Sequence, residues 1–219
     1  MINTVIFDLD GLLVDTEATW YRVFKNMLND YGYEFSLEEY VKDHSGKTIV
    51  DNLKAVKAKY EIPLSVEEGV ERAISDEGKF VEQGVDLKPG AEELLQYLKT
   101  HGYKIVLGTS SKKDRAVTIL KQNHADHYFD AFVVGYDVKR SKPFPDIFLA
   151  AAERVGSVPE ECLVLEDSEA GIQAAYAAGI SVICVPDLKN PREEVAEKTA
   201  AILPSLHQVI GYLDEHGIE

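Results

Sequence analysis

Cysteine is nearly absent, with two in 219 residues, Cys162 and Cys184, each inside an apolar run. A disulfide framework is therefore excluded, and both read as buried small hydrophobes suited to a reducing cytoplasm. Positive charge is also short, with 23 Lys and Arg against 38 Asp and Glu and a net charge of −15. No nucleic-acid or anionic-membrane partner is expected of such a surface. Nor does any apolar run approach the roughly 18 residues that span a bilayer, and the opening MINTVIFDLD carries no basic leader-like stretch. With 8 Pro, 15 Gly and 45% hydrophobic residues, disorder and collagen-like repeats are excluded too, and no internal repeat or low-complexity tract occurs. What remains is a cytoplasmic globular chain of one large domain, or of one with a sizeable insertion.

Short apolar runs suited to buried strands lie at Thr4–Phe7 and at 104–108, 131–134, 162–165 and 181–185. From the second onward they alternate with amphipathic stretches. Ile147, Phe148, Ala151, Ala152 and Val155 form one stripe, and Leu206, Val209, Ile210 and Leu213 fall at i, i+3, i+4 and i+7 of another. The alternation predicts an α/β fold, a doubly wound, Rossmann-like parallel sheet wrapped by helices. Residues 15–85 break the rhythm. They hold no strand pattern, but Trp20, Val23, Phe24, Met27 and Leu28 share a helical face, and Ser36 with Glu39 and Ser65 with Glu68 match the capping box. This stretch is expected to be an inserted α-helical cap, with the core built from 1–14 and 86–219. Lys88, Pro89 and Gly90 punctuate the return before a helix over 91–99, and the two crossings predict a hinge near 14–16 and 85–88.

In a parallel sheet, ligands sit beyond the carboxyl ends of the strands, so the polar residues closing each apolar run come first. The first run ends in Asp8, Leu9, Asp10 and Gly11, the second in Thr109, Ser110 and Ser111, and the fourth in Glu166, Asp167 and Ser168, while Lys142 precedes Pro143 after the third. Four carboxylates on one edge need a cation, because a like-charged pair at about 4 Å repels by about 4 kcal/mol in an effective dielectric near 20. Oxygen donors of this kind suit Mg²⁺, which uses one or two carboxylates together with waters and phosphate oxygens. Even with Mg²⁺ and Lys142 the site stays net negative, so backbone donors must help to hold an anion. Ser111 through Asp114 reads as a capping-box start, whose helix N-terminus would face a phosphate behind Thr109 and Ser110. One of the paired aspartates can attack phosphorus while the other exchanges a proton with the leaving oxygen. The expected chemistry is in-line attack by Asp8, an aspartyl-phosphate intermediate, and hydrolysis assisted by Asp10.

The segments FDLDGLLVDTE, GTSS, SKPFPDIF and VLEDSEAGIQAA, in this order and spacing, resemble the four motifs of the haloacid dehalogenase superfamily, and the insertion is similar to its cap. Within it, the resemblance is to β-phosphoglucomutase and small sugar-phosphate phosphatases. It implies that Asp8 is the nucleophile and that Asp10 is the acid/base, which also binds Mg²⁺ through its backbone carbonyl. By the same resemblance Thr109 and Ser110 cradle the phosphate, Lys142 steadies it, and Asp167 with Glu166 completes the metal site. The implied enzyme is a Mg²⁺-dependent phosphatase of a small phosphorylated metabolite, such as a sugar phosphate, and a monomer is expected because a chain with its own cap needs no partner to enclose the pocket. Where the mutase pattern has a cap histidine five residues beyond the aspartate matching Asp15, this chain has Trp20, which favours hydrolysis over phosphomutase chemistry. Phosphonate hydrolysis and dehalogenation are disfavoured by Asp10 and by the acidic pair. The rival of another class is a non-catalytic protein that binds a phosphate ligand.

Other features have plainer readings. Trp20 sits on the apolar stripe of its helix, as a packed residue or as pocket lining. Gly46, Lys47 and Thr48 mimic the end of a Walker A loop, but Val41 stands where Gly is required. The resemblance makes Lys47 a candidate substrate contact. His124 and His127 lack two further zinc ligands, and the run Glu193, Glu194, Glu197 and Lys198 reads as a solvated helix face. Ser168 reads as a helix N-cap that also orients the acidic pair.

Overall fold

The computed structural model describes residues 1–216 and divides into two compact units, Met1–Asp15 with the chain from Asp86 onward, and Thr16–Val85. In chain order the elements are β1 (Thr4–Phe7), α1 (Thr16–Asn29), α2 (Leu37–Asp43), α3 (Ile49–Lys59), α4 (Val66–Gln83), α5 (Ala91–Thr100), β2 (Lys104–Thr109) and α6 (Lys113–Gln122). They continue with β3 (Ala131–Val134), α7 (Asp146–Arg154), β4 (Cys162–Glu166), α8 (Glu169–Ala177), β5 (Ser181–Cys184), α9 (Glu193–Ala196), β6 (Ala201–Ile202) and α10 (His207–His216).

The larger unit is a six-stranded parallel sheet in the order β3-β2-β1-β4-β5-β6. All four residues of β1 are buried, as a central strand covered on both faces must be. On one face Ile6, Val106 and Val164 pack with Phe148 of α7 and Ile172 of α8, and each such side chain contributes about 1.5–3 kcal/mol by leaving water. The strand order reverses between β1 and β4, which puts a crevice beyond their carboxyl ends. β6 escapes the sequence pattern because it is only two residues long. Asp15, expected in the insertion, joins the sheet unit: its N–H donates to the Asp86 carbonyl at 3.2 Å, next to the bridge between Val14 and Leu87. Both cysteines are buried free thiols, and burial pushes Cys162 up to about 11 and Cys184 to about 12, so neither is a reactive thiolate.

The smaller unit consists of α1 to α4, with α1 and α3 both packed on α4. Its core takes Val23, Phe24, Met27 and Leu28 from α1, Leu53 and Val56 from α3, and Ala73 from α4. Ser65 and Glu68 form the full capping box at α4. At α2 only half of it forms. Ser36 accepts from the Glu39 N–H, but the Glu39 carboxylate instead takes Tyr60 Oη at 2.6 Å and Lys59 Nζ at 2.8 Å. Among the described residues no helix is long and apolar enough to cross a membrane.

Candidate active site

β1 delivers Asp8 directly beside β4, since the Asp8 N–H donates to the Leu165 carbonyl at 3.1 Å. Lys142, from the loop before α7, reaches between the two strand ends. Its Nζ donates to Asp8 Oδ1 at 2.5 Å and to Glu166 Oε1 at 2.6 Å, and it lies 4.9 Å from the centre of the buried Phe148 ring. The Lys142 side chain is 8% exposed and the Glu166 side chain not at all, so these are desolvated, charge-assisted bonds. The second Glu166 oxygen accepts from the Asp167 N–H, the Ser168 N–H and Ser168 Oγ at 2.9–3.0 Å. Ser168 is the N-cap of α8 as its sequence position predicts, and its Oγ accepts from the Gly171 N–H at 3.1 Å. The Glu166 carboxylate fills the space beside Gly171, where a Cβ would lie 1.8 Å from Oε1. Gly171→Ala is therefore expected to cost about 3 kcal/mol, because the carboxylate it displaces is held by four hydrogen bonds and cannot yield. Urea denaturation of the two proteins measures it, and a loss below about 1 kcal/mol would show that the β4–α8 turn adapts.

One oxygen from each of Asp8, Glu166 and Asp167 lies within 4.8 Å of the others. Burial pushes the Asp8 carboxyl up to about 7, against the pull of Lys142 and with the help of Glu166 and Asp10. Asp167 is raised well above the carboxylate range by burial and then by Glu166, Asp8 and Asp187. Burial works against the Lys142 ammonium, but Asp8 and Glu166 outweigh it and hold its proton more tightly than usual. A compact, buried set of hard oxygens with excess negative charge suits a divalent cation.

The carboxylate of Asp10 is not part of this group. Its Oδ2 accepts from Ser111 Oγ at 2.5 Å and from Arg115 Nη1 at 3.1 Å, while Oδ1 lies 2.8 Å from Arg115 Nη2. Four clustered carboxylates were the expectation. Three gather, and the fourth is clasped by an arginine that also relieves the negative charge. Ser111 is not the cap of α6, because its hydroxyl is committed to Asp10, and Lys112 holds the N-cap position without a side-chain bond. Thr109 is buried at the end of β2, where its Oγ1 accepts from the Ser111 N–H at 3.1 Å, and Ser110 beside it is exposed. Gly11, at φ +81°, turns the chain after Asp10, and a Cβ there would meet Asp167 Oδ2 at 2.3 Å.

The profile of the haloacid dehalogenase-like hydrolases matches residues 5–185. The chain belongs to this family. The hydrolase is 31% identical over 215 residues to the phosphorylated carbohydrates phosphatase of Thermotoga maritima, covering 98% of this chain and 99% of that one. To the fructose-1-phosphate phosphatase of Escherichia coli it is 32% identical over 189 residues, covering 83% and 95%. Its fold superposes on the crystal structure of β-phosphoglucomutase from Clostridium difficile with a TM-score of 0.75 at 27% identity, over 98% and 96% of the two chains.

In this hydrolase the two candidate cap residues, Trp20 and Lys47, both belong to the helical unit. Trp20 is half-buried on α1, its ring centre 6.5 Å from that of Phe24. Lys47 is exposed and its Nζ donates to the Asp43 carbonyl at 2.6 Å, while Thr48 caps α3 by accepting from the Asp51 N–H. The Walker-like triplet is thus a helix start. His124 and His127 are exposed, outside the carboxylate group.

Sequence reasoning missed Arg115 and Asp187. Arg115 lies in the first turn of α6, four residues beyond Ser111, and its Nη1 donates to Ser111 Oγ at 2.8 Å, and Asp187 stands just past the fifth apolar run.

Proposed function

We propose that this hydrolase cleaves a small organic phosphate monoester, such as a sugar phosphate, with Mg²⁺ and through a phosphoaspartate on Asp8. Phosphate-monoester hydrolysis follows from the family and from relatives that are phosphatases. The finer reading is carried by one observation, the Lys142 ammonium bridging Asp8 and Glu166 inside a group of three carboxylates where the strand order reverses.

Asp8 and Asp167, with the Asp10 backbone carbonyl, would hold the metal, and Glu166 anchors Lys142 and the α8 turn. A bound Mg²⁺ supplies the positive charge that keeps the buried Asp8 ionised at neutral pH and offsets charge on the transferred phosphoryl group. Thr109, Ser110 and the uncapped first turn of α6 offer donors to the phosphate oxygens. An Asp8 oxygen attacks phosphorus in line as the ester oxygen leaves. Asp10, oriented by Ser111 and Arg115, gives that oxygen a proton and then takes one from the water that opens the acyl phosphate. Lys142 holds the nucleophile in place and balances its charge. Trp20 and Lys47 are assigned to the substrate side of the cap.

Turnover of 4-nitrophenyl phosphate is expected, abolished by EDTA and restored by Mg²⁺. Activity indifferent to chelation would remove the metal from this reading. A panel of sugar phosphates, glycerol phosphates, phosphoglycolate and nucleoside monophosphates identifies the ester. The similarity to a β-phosphoglucomutase structure supports a second reading, transfer of the phosphoryl group back to a sugar, against which stands the indole of Trp20. Release of free phosphate without a bisphosphate activator separates the two.

A further inference from the structure

Lys88 and Asp187 take no part in the chemistry above, yet both are largely buried in the sheet unit, at 18% and 11% side-chain exposure. Lys88 Nζ donates to the Gly11 carbonyl at 2.9 Å and to Asp187 Oδ1 at 2.5 Å, and its backbone N–H donates to the Leu13 carbonyl at 2.8 Å. It therefore straps the loop carrying Asp10 and Gly11 to the segment after β5. Stability alone does not account for the pair, since a buried ion pair rarely outperforms apolar residues of the same volume. The second Asp187 oxygen, Oδ2, is buried without a hydrogen-bond partner, a costly state for a carboxylate. A Cβ built on Gly11 would lie 3.4 Å from this oxygen and 2.3 Å from Asp167 Oδ2. The two carboxylates thus crowd the same side of the Gly11 Cα, which puts Asp187 beside Asp167 of the candidate metal group.

We propose that Asp187, held by Lys88, is a positioning residue of the metal centre, whose unpartnered oxygen accepts from the hydrated side of the cation and raises the affinity of Asp8 and Asp167 for Mg²⁺. The inference rests on the metal reading above. Mg²⁺ keeps much of its hydration shell in proteins, and acceptors just outside the direct ligands are worth about 10- to 100-fold in metal affinity. Lys88 leaves only one Asp187 oxygen available and fixes its direction.

The test is calorimetric titration of MgCl₂ into EDTA-stripped, dialysed full-length protein, with no substrate present. Asp187→Asn is expected to weaken Mg²⁺ binding about 10- to 100-fold, while the metal-free protein stays folded but melts somewhat lower because Lys88 loses its counter-charge. Asp187→Ser removes the carboxylate differently and gives the reading if the Asn variant does not fold. Wild-type Mg²⁺ affinity in the folded Asp187 variant, alongside lost binding in Asp167→Asn, would overturn this inference and leave the metal reading intact. Wild-type affinity in Asp167→Asn as well would remove the metal reading itself. A fall in metal-free stability with unchanged affinity would make Lys88 and Asp187 a structural strap only.

Discussion

Asp8→Asn is expected to lower phosphatase turnover by at least about a thousandfold while leaving the fold intact. The substitution is nearly isosteric, and an amide oxygen can still accept from Lys142, so the bridge to Glu166 survives in outline. What the amide loses is the nucleophile, because its oxygen carries no formal charge and cannot form a stable acyl phosphate with the substrate. Binding, the phosphate donors and Asp10 all remain, so the residual rate measures what the rest of the site achieves without covalent catalysis. The comparison is kcat on 4-nitrophenyl phosphate for two proteins of matching circular dichroism, with a beryllofluoride adduct on Asp8 expected only in the wild type. A folded variant that keeps most of its rate would make water, activated elsewhere in the site, the attacking group.

The residues on which that prediction depends were legible because each stands where a buried strand stops being apolar. Asp8 follows Phe7, Glu166 closes 162–165, and the sheet brings these ends together as any parallel sheet with this reversal does. The fold class was readable from the same runs, with five of the six strands recognisable. The order in which they pair was not, because no local pattern encodes which strand lies beside β1. The misreadings have physical causes as well. Ser111 satisfies the local rule for a helix cap, but a carboxylate 101 positions away in the chain competes for its hydroxyl and wins. Arg115 looks like an ordinary charge on a solvated helix until Asp10 is placed against it. Asp187 obeys the rule that found the others, since it lies just beyond 181–185, yet a proline intervenes and no second carboxylate beside it draws notice. The cap residues follow no comparable rule, since a helical face shows which residues are buried and says little about what a partly exposed ring or ammonium will touch.

The charge arrangement that makes the site suitable for a cation also predicts how the metal-free protein responds to pH. Asp8 has an ordinary value of 3.8 and is pushed up to about 7 in the fold, chiefly by burial. A raised carboxyl binds its proton more tightly when folded, so its contribution to stability is complete below its unfolded value and disappears as pH rises through its folded one. Between about pH 4 and pH 8 the metal-free wild type should thus lose on the order of 4 kcal/mol that the uncharged side chain of Asp8→Asn does not lose. Asp167 is raised as well and adds to the decline in both proteins, so the quantity to read is the difference between wild type and variant. In EDTA the variant is expected to match the wild type or fall slightly below it near pH 4, and to exceed it near pH 8, by urea denaturation at each pH. Mg²⁺ should close most of that gap near pH 8, because a ligand present at about a hundred times its Kd stabilises the protein that binds it by about 2.7 kcal/mol and the variant has lost one ligand oxygen's charge. If the difference between the two metal-free proteins did not change with pH, Asp8 would be ionised at no cost in the empty site, and the three carboxylates would not need a cation between them.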